Sequence, residues 1–149
     1  MDQIDRKILK ALQANARASL QEIGQTVGLS SSPCWERIRK LEQAGVIEGY
    51  TVRLNAQGLG LADTVLVQVT LDSHSDNTLE KFGETLAAIP EVIEAYLVSG
   101  EYDYLLRVAV KDTRDYERLL RERLYKIKGI RHSKSSFVLR TLKKADLPL

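Results

Sequence analysis

Two stretches of the chain carry side chains able to do chemistry. The first is Ser30-Ser31-Ser32-Pro33-Cys34-Trp35-Glu36-Arg37-Ile38-Arg39-Lys40-Leu41-Glu42-Gln43. Wound as a helix, it places Cys34, Ile38 and Leu41 on one side and Ser32, Glu36, Arg39, Lys40 and Gln43 on the other. Every member of the second face donates or accepts hydrogen bonds. In a DNA major groove such side chains have definite partners: Arg with guanine, Gln with adenine, Glu with the cytosine amine, Ser with several. The amides around Ser30, Ser31 and Ser32 are placed to bind a phosphate. Glu36 repels phosphate, so beside DNA it has to face a base or pair with Arg39 or Lys40. Trp35 projects to the flank, where it anchors packing or lies against a sugar-phosphate edge. The same residues would equally suit the solvated face of an ordinary helical hairpin.

The second stretch is Gly100-Glu101-Tyr102-Asp103-Tyr104. A glycine between two strands lets the backbone approach another group closely, and the neighbouring carboxylate and phenols offer an ammonium partner and an amphipathic wall. A plain hairpin turn with aromatic strand residues is the other reading. Elsewhere the sequence offers little catalytic equipment. Cys34 has no base, metal partner or second thiol nearby and is expected as a small core residue. His74 and His132 are isolated, and no set of residues has metal-ligand spacing. Arg114, Arg118, Arg121 and Arg123 alternate with Asp115, Glu117 and Glu122, which reads as a salt-bridged solvent face.

Three short helices are expected to position the first stretch. One starts behind Asp2 and buries Ile4, Ile8, Leu9 and Leu12. The next follows the capping box Ser19-Leu20-Gln21-Glu22, buries Leu20, Ile23 and Val27, and stops at Gly28. The third has Ser30 as its N-cap and Pro33 in its first turn, and ends near Gly45. The short glycine-containing turn Val27-Gly28-Leu29-Ser30 is that of a helix-turn-helix. Residues 46–54 then alternate and are read as a wing or linker strand. That strand carries Arg53, and the loop 55–60 after it is read as a domain boundary.

The remainder reads strand, helix, strand, strand, helix, strand. The strands are expected at 64–71, 92–98, 104–110 and 130–142, and the helices at 77–89 and from Asp112 or Thr113 to Gly129. This βαββαβ order is ferredoxin-like, with both helices on one face of an antiparallel sheet. The other face is left open, and packing against a second copy is the physical solution.

Bulk properties restrict the classes. The 149 residues are 44% hydrophobic and 28% charged, with one cysteine, which excludes disordered, collagenous and disulfide-scaffold chains. Net charge is +2; residues 1–60 hold eight basic and six acidic side chains and residues 61–149 fourteen of each, so the excess lies in the first sixty. No apolar run is long enough for a membrane span, and the start MDQIDRKILKALQ is unlike a signal peptide, so a cytoplasmic location is expected.

The chain resembles the Lrp/AsnC family of leucine- and asparagine-responsive transcriptional regulators over nearly its whole length. The resemblance rests on residues 2–9, on Val27-Gly28-Leu29-Ser30-Ser31-Ser32-Pro33-Cys34 with Arg37, and on 41–50. It continues through Leu54-Asn55, Pro90-Glu91-Val92, Gly100-Glu101-Tyr102-Asp103-Tyr104-Leu105-Leu106, Ser135-Ser136-Phe137-Val138 and Leu147-Pro148-Leu149. It implies an α+β chain: a winged helix-turn-helix over residues 1–60, and over 61–149 a ferredoxin-like effector domain of the RAM type. Such regulators bind double-stranded DNA, pair through their sheets and assemble into octamers or larger rings, and take a small amino acid between dimers. The implied DNA set is Ser30, Ser31, Ser32, Trp35, Glu36, Arg39, Lys40, Gln43 and Arg53. The implied effector set is Gly100, Tyr102, Asp103 and Tyr104, with Thr113, Ser135 and Ser136 from neighbouring segments or chains. No cofactor beyond the amino acid, no metal and no membrane contact is expected. The rival readings are a small ferredoxin-like enzyme, with Asp103 as base and Tyr102 or Tyr104 as acid, and a metabolite-sensing assembly protein whose DNA head is secondary.

Overall fold

The structure is a computed structural model describing residues 1–74 and 76–149. It divides into two compact units, Met1–Arg53 with Lys143–Leu149, and Leu54–Leu142. Residues 54–60, expected to close the first domain, thus lie in the second unit, and residues 143–149, expected in the second, lie in the first.

The first unit holds α1 (Gln3–Ala14), α2 (Leu20–Val27) and α3 (Ser31–Gln43). Asp2 caps α1 and Ser19 caps α2, each in a reciprocal box: the cap side chain accepts the third amide and the third acid accepts the cap amide. Ser30 occupies the N-cap of α3, but its hydroxyl makes no capping hydrogen bond. Ile8, Ile23, Val27, Cys34 and Ile38 form the core, with Ile4, Leu12, Leu20, Leu29 and Ile47 packed around it. The three-residue turn between α2 and α3 is tight. Gly28 adopts the left-handed conformation (φ 78°), and the Leu29 amide donates to the Gly24 carbonyl at 2.8 Å. At the far end of α3, the Gly45 amide donates to Glu42 O and the Val46 amide to Leu41 O, a Schellman closure with Gly45 at φ 68°.

Residues 46–54 are not a strand in this chain. They are tied to the head by the Val46 and Ile47 amides on Leu41 O and by the Tyr50 hydroxyl donating to Glu42 Oε1 at 2.9 Å. Their alternating apolar residues Tyr50, Val52 and Leu54 stand more than half exposed. Among the described residues no neighbouring strand completes a ladder with them.

The second unit contains β1 (Asp63–Leu71), α4 (Asp76–Ala87), β2 (Val92–Leu97), β3 (Tyr104–Val110), α5 (Thr113–Glu122) and β4 (Ile130–Phe137). The strands form one antiparallel sheet in the order β2-β3-β1-β4, the ferredoxin-like arrangement. Val65, Val67, Val69 and Leu71 of β1 and Leu106, Val108 and Val110 of β3 are at most 1% exposed. Phe82, Leu86, Tyr116 and Leu119 from the helices complete the same core. The opposite face carries Leu66, Gln68, Tyr96, Leu105, Lys134, Ser136 and the Arg107–Glu94 ion pair.

Two elements are shorter than expected. α5 stops at Glu122 rather than continuing to Gly129: Arg123 leaves the helical region (φ −120°, ψ −70°), and a single 3-10 turn, Leu124–Lys126, delivers buried Leu124 to the core. β4 ends at Phe137 rather than near Leu142. The Val138 amide still reaches Thr64 O, but β1 begins at Asp63, so residues beyond 138 have no strand to pair with.

Gly24 gives the first prediction. Alanine normally stabilises a helix interior over glycine by about 1 kcal/mol. A Cβ at residue 24, however, would lie 2.4 Å from the Leu29 carbonyl oxygen, a backbone atom held by the turn itself. The clash outweighs the propensity gain. Gly24→Ala should cost about 1–3 kcal/mol in urea denaturation, whereas Gly→Ala at exposed Gly49, where nothing lies within 4 Å, should not.

Candidate functional site

The outward face of α3 is the first candidate. Cys34, Ile38 and Leu41 are buried, and Ser32, Trp35, Glu36, Arg39, Lys40 and Gln43 are all exposed, as are Ser30, Ser31 and Arg53. The expected division of the helix into a packed and a polar side is therefore present in the structure. Burial pushes the Cys34 thiol up, so it stays protonated and inert. Glu36 makes no ion pair with Arg39 or Lys40. Arg39 instead lies over the Trp35 ring, with its guanidinium carbon 5.4 Å from the centroid.

A residue that the spacing did not single out for a role fixes this helix. Arg37 Nη1 lies 2.7 Å from both Asp2 Oδ2 and Asp5 Oδ1, the two carboxylates of the α1 capping box. The box and the ion pair share the same acids. The Asp5 backbone amide and then the Arg37 guanidinium hold the Asp2 carboxyl below its ordinary range, and the two acids push the Arg37 guanidinium further up. The signal was the pairing of Asp2 and Asp5 with Arg37, more than thirty residues apart, which periodicity does not detect.

The second candidate is the connection between β2 and β3. Gly100 has φ 126°, in the region that favours glycine. Asp103 is firmly held: its amide donates to Val69 O, its Oδ2 accepts the Leu71 amide at 2.7 Å, and its Oδ1 lies 2.9 Å from His74 Nε2. His74, expected as a surface residue with no partners at metal-ligand spacing, is exposed and sits against this carboxylate. Both carboxylate oxygens of Asp103 therefore have a partner in this chain. Tyr104 points into the core at 3% exposure, stacked on Phe82, with its hydroxyl donating to Leu79 O. Burial pushes that phenol up and keeps it a donor. Tyr102 is half-buried and Thr113 and Ser136 are exposed.

The seven expected effector residues are not all brought together. Thr113 follows the far end of β3 (Tyr104–Val110), about seven residues and therefore roughly 20 Å from the 100–103 connection. Ser135 and Ser136 point to opposite faces of the sheet. Ser135 pairs with Val67 on the helix side and shares a hydrogen bond with the Tyr116 hydroxyl, while Ser136 pairs with Leu66 on the open side. Among the described residues no cluster of His, Cys, Asp and Glu could hold a metal ion, and no helix is long and apolar enough to cross a membrane.

Comparison with known proteins gives these two units a class. Residues 1–48 match a model described as winged helix-turn-helix DNA-binding, and residues 64–148 match the Lrp/AsnC ligand binding domain. The leucine-responsive regulatory protein of Escherichia coli K12 is 38% identical over 146 residues, covering 98% of this chain and 89% of that protein. Among solved structures, an AsnC family transcriptional regulator from Agrobacterium tumefaciens superposes with a TM-score of 0.94 at 39% identity, covering 99% of this chain and 97% of that one. A transcriptional regulator from Neisseria meningitidis in complex with L-Met superposes with a TM-score of 0.93 at 32% identity, covering 99% and 96%. The chain belongs to the Lrp/AsnC family: it is a DNA-binding transcription regulator with an amino acid ligand-binding domain. Both solved structures named here are described as transcriptional regulators.

The Arg37 cluster yields a pH prediction. Because the folded Asp2 carboxyl sits below its unfolded value, its contribution is present above the unfolded pKa of about 4 and is lost as pH falls through the lower folded value. Asp2→Asn should therefore flatten the pH dependence of the denaturation midpoint below about pH 4, while leaving the slope at neutral pH unchanged. An undiminished acid slope in this variant would assign the dependence to other carboxylates.

Proposed function

We propose that α3 reads sequence in the major groove through Ser32, Glu36, Arg39, Lys40 and Gln43, with Ser30, Ser31 and Arg53 contacting the backbone and Trp35 at the flank of the reading face. The observation that carries this reading is the sidedness of α3: three buried residues on one side and an unbroken hydrogen-bonding face on the other. Pairing of two such heads would favour near-palindromic sites with half-sites about 10 base pairs apart or a multiple of that. The basic excess of two per chain makes a single head a weak binder, so useful affinity comes from several heads on one DNA. The chain is read as a cytoplasmic, non-enzymatic regulator that forms dimers through the open sheet face and then octamers or larger assemblies. It acts without a cofactor or a membrane.

Sequence preference from a randomised duplex pool tests the base-reading role. Arg39→Ala should lose about 1–3 kcal/mol of discrimination at one base pair and Arg53→Ala should weaken all sequences alike. An Arg39→Ala profile identical to the wild type would remove Arg39 from the reading face.

For the effector, a small amino acid is proposed to bind around Gly100, Tyr102 and Asp103, with Tyr104 as structural support and Thr113, Ser135 and Ser136 contributing from wherever a neighbouring copy brings them near. The separation of these residues within one chain favours a site completed between copies. A thermal-shift panel of the twenty amino acids should find one or a few that stabilise by about 2.7 kcal/mol when free ligand is 100 times its dissociation constant. Asp103→Asn keeps an acceptor for the Leu71 amide and should lose the shift without losing the fold. A panel with no responder would argue against an amino acid effector at this site.

A further inference from the structure

Trp35 is the only tryptophan in the chain, stands 48% exposed and belongs to neither hydrophobic core. Packing therefore does not account for it. Four residues on, one turn along the same face, Arg39 sets its guanidinium 5.4 Å from the indole centroid, within cation–π range. Among the described residues no carboxylate lies within ion-pairing distance of Arg39, although Glu36 is spaced for it.

The difference between an aromatic and an acidic partner matters for what Arg39 can then do. A carboxylate occupies the in-plane N–H fork. An indole face attracts the delocalised cation without taking those donors as ion-pair partners, so they remain available for the two acceptors of a guanine. The contact also has a direction. Helical side chains lean toward the helix N-terminus, and Trp35 lies one turn N-terminal of Arg39. The guanidinium is thereby drawn toward the half of α3 that, in a helix-turn-helix, meets base edges.

We propose that Trp35 is a positioning residue for Arg39: its ring holds the guanidinium over the N-terminal half of α3 with the N–H fork free to read one G·C pair. This inference rests on the DNA-reading role proposed for α3. It gives Trp35, at the flank of the reading face, a part in specificity that is exerted through Arg39.

The test uses the full-length chain and the variants Trp35→Leu, Trp35→Phe, Arg39→Ala and the Trp35→Leu/Arg39→Ala double, each selecting from a randomised duplex pool. Trp35→Leu should reduce preference at one G·C position by about two- to fivefold, the range of an exposed cation–π contact. The loss should be confined to that position, with the order of base preference at every other position as in the wild type. Trp35→Phe, which keeps a ring, should retain most of the preference. In the Arg39→Ala background Trp35→Leu should change nothing further at that position. Arg39→Ala should also alter the emission of the single tryptophan in the free protein, a change that a merely packed Trp35 would not show. Additive losses in the double variant would overturn the proposal, and so would a uniform weakening on all sequences with a shallower salt slope. If Arg39→Ala leaves base preference intact, the reading role of Arg39 falls and this inference with it. If Arg39→Ala abolishes the preference and Trp35→Leu leaves it unmoved, only the positioning role falls.

Discussion

The Leu29 carbonyl oxygen occupies the space that a side chain on residue 24 would need, 2.4 Å from an ideal Cβ there. This close approach sets the geometry of the head. It lets the chain leave α2 at Gly28 and enter α3 at Ser31 after three residues, with the Leu29 amide closing on Gly24 O. A longer or looser turn would let α3 rotate about its axis, and a rotation of one residue, about 100°, would carry Ile38 toward solvent and Arg39 toward the core. The buried trio Cys34, Ile38 and Leu41 supplies the restoring force, the Schellman closure at Gly45 fixes the far end, and Arg37 ties the middle to α1. All four restraints act on the inner side or an edge of α3, and none uses a side chain of its polar face.

The cations of α3 are divided in the same way. Arg37 is committed to two carboxylates, Arg39 to an aromatic face, and Lys40 makes no ion pair among the described residues. A surface ion pair contributes little to stability on its own. Arg37 gains weight because its partners also cap α1, so orientation of α3 and closure of the first helix depend on the same two acids. The cation that orients α3 and those of its polar face are thereby kept apart on one short helix.

Most of this architecture was legible in the sequence where local rules decide it. Asp2 marked the start of α1, a capping box at Ser19 announced α2, and the strict alternation of Val65, Val67, Val69 and Leu71 gave β1 and its buried side. Periodicity sorted α3 into its two faces. Legibility failed where the deciding partner is distant or missing. Arg37 with Asp2 and Asp5, and His74 with Asp103, are contacts that no local pattern encodes. Residues 46–54 alternate as a strand should, yet a strand exists only beside another, and none of the described residues supplies one for them. The 100–104 motif was visible as a cluster, but sequence could not tell that Tyr104 faces inward while Ser135 and Ser136 face apart. Those facts depend on register, and one residue of register exchanges the faces.

That register has a consequence for the effector domain. A small amino acid spans only a few ångströms, whereas Thr113 and the Gly100–Asp103 connection lie at opposite ends of β3, and Ser135 and Ser136 lie on opposite faces of β4. On the proposed reading, a site drawing on several of these residues exists only where another copy brings its own set alongside. Ligand binding then includes the free energy of bringing copies together, and by linkage assembly changes ligand affinity by the same factor that ligand changes assembly. The DNA heads are affected in turn. If a head with a basic excess of two charges holds DNA usefully only in company, as proposed, a shift in the number of heads in one assembly changes affinity for an array of sites far more than it changes the affinity of one head. On that proposed reading, a change in how many chains stand together is sufficient to couple the amino acid to the DNA, with no conformational signal required to pass from the ligand domain to α3.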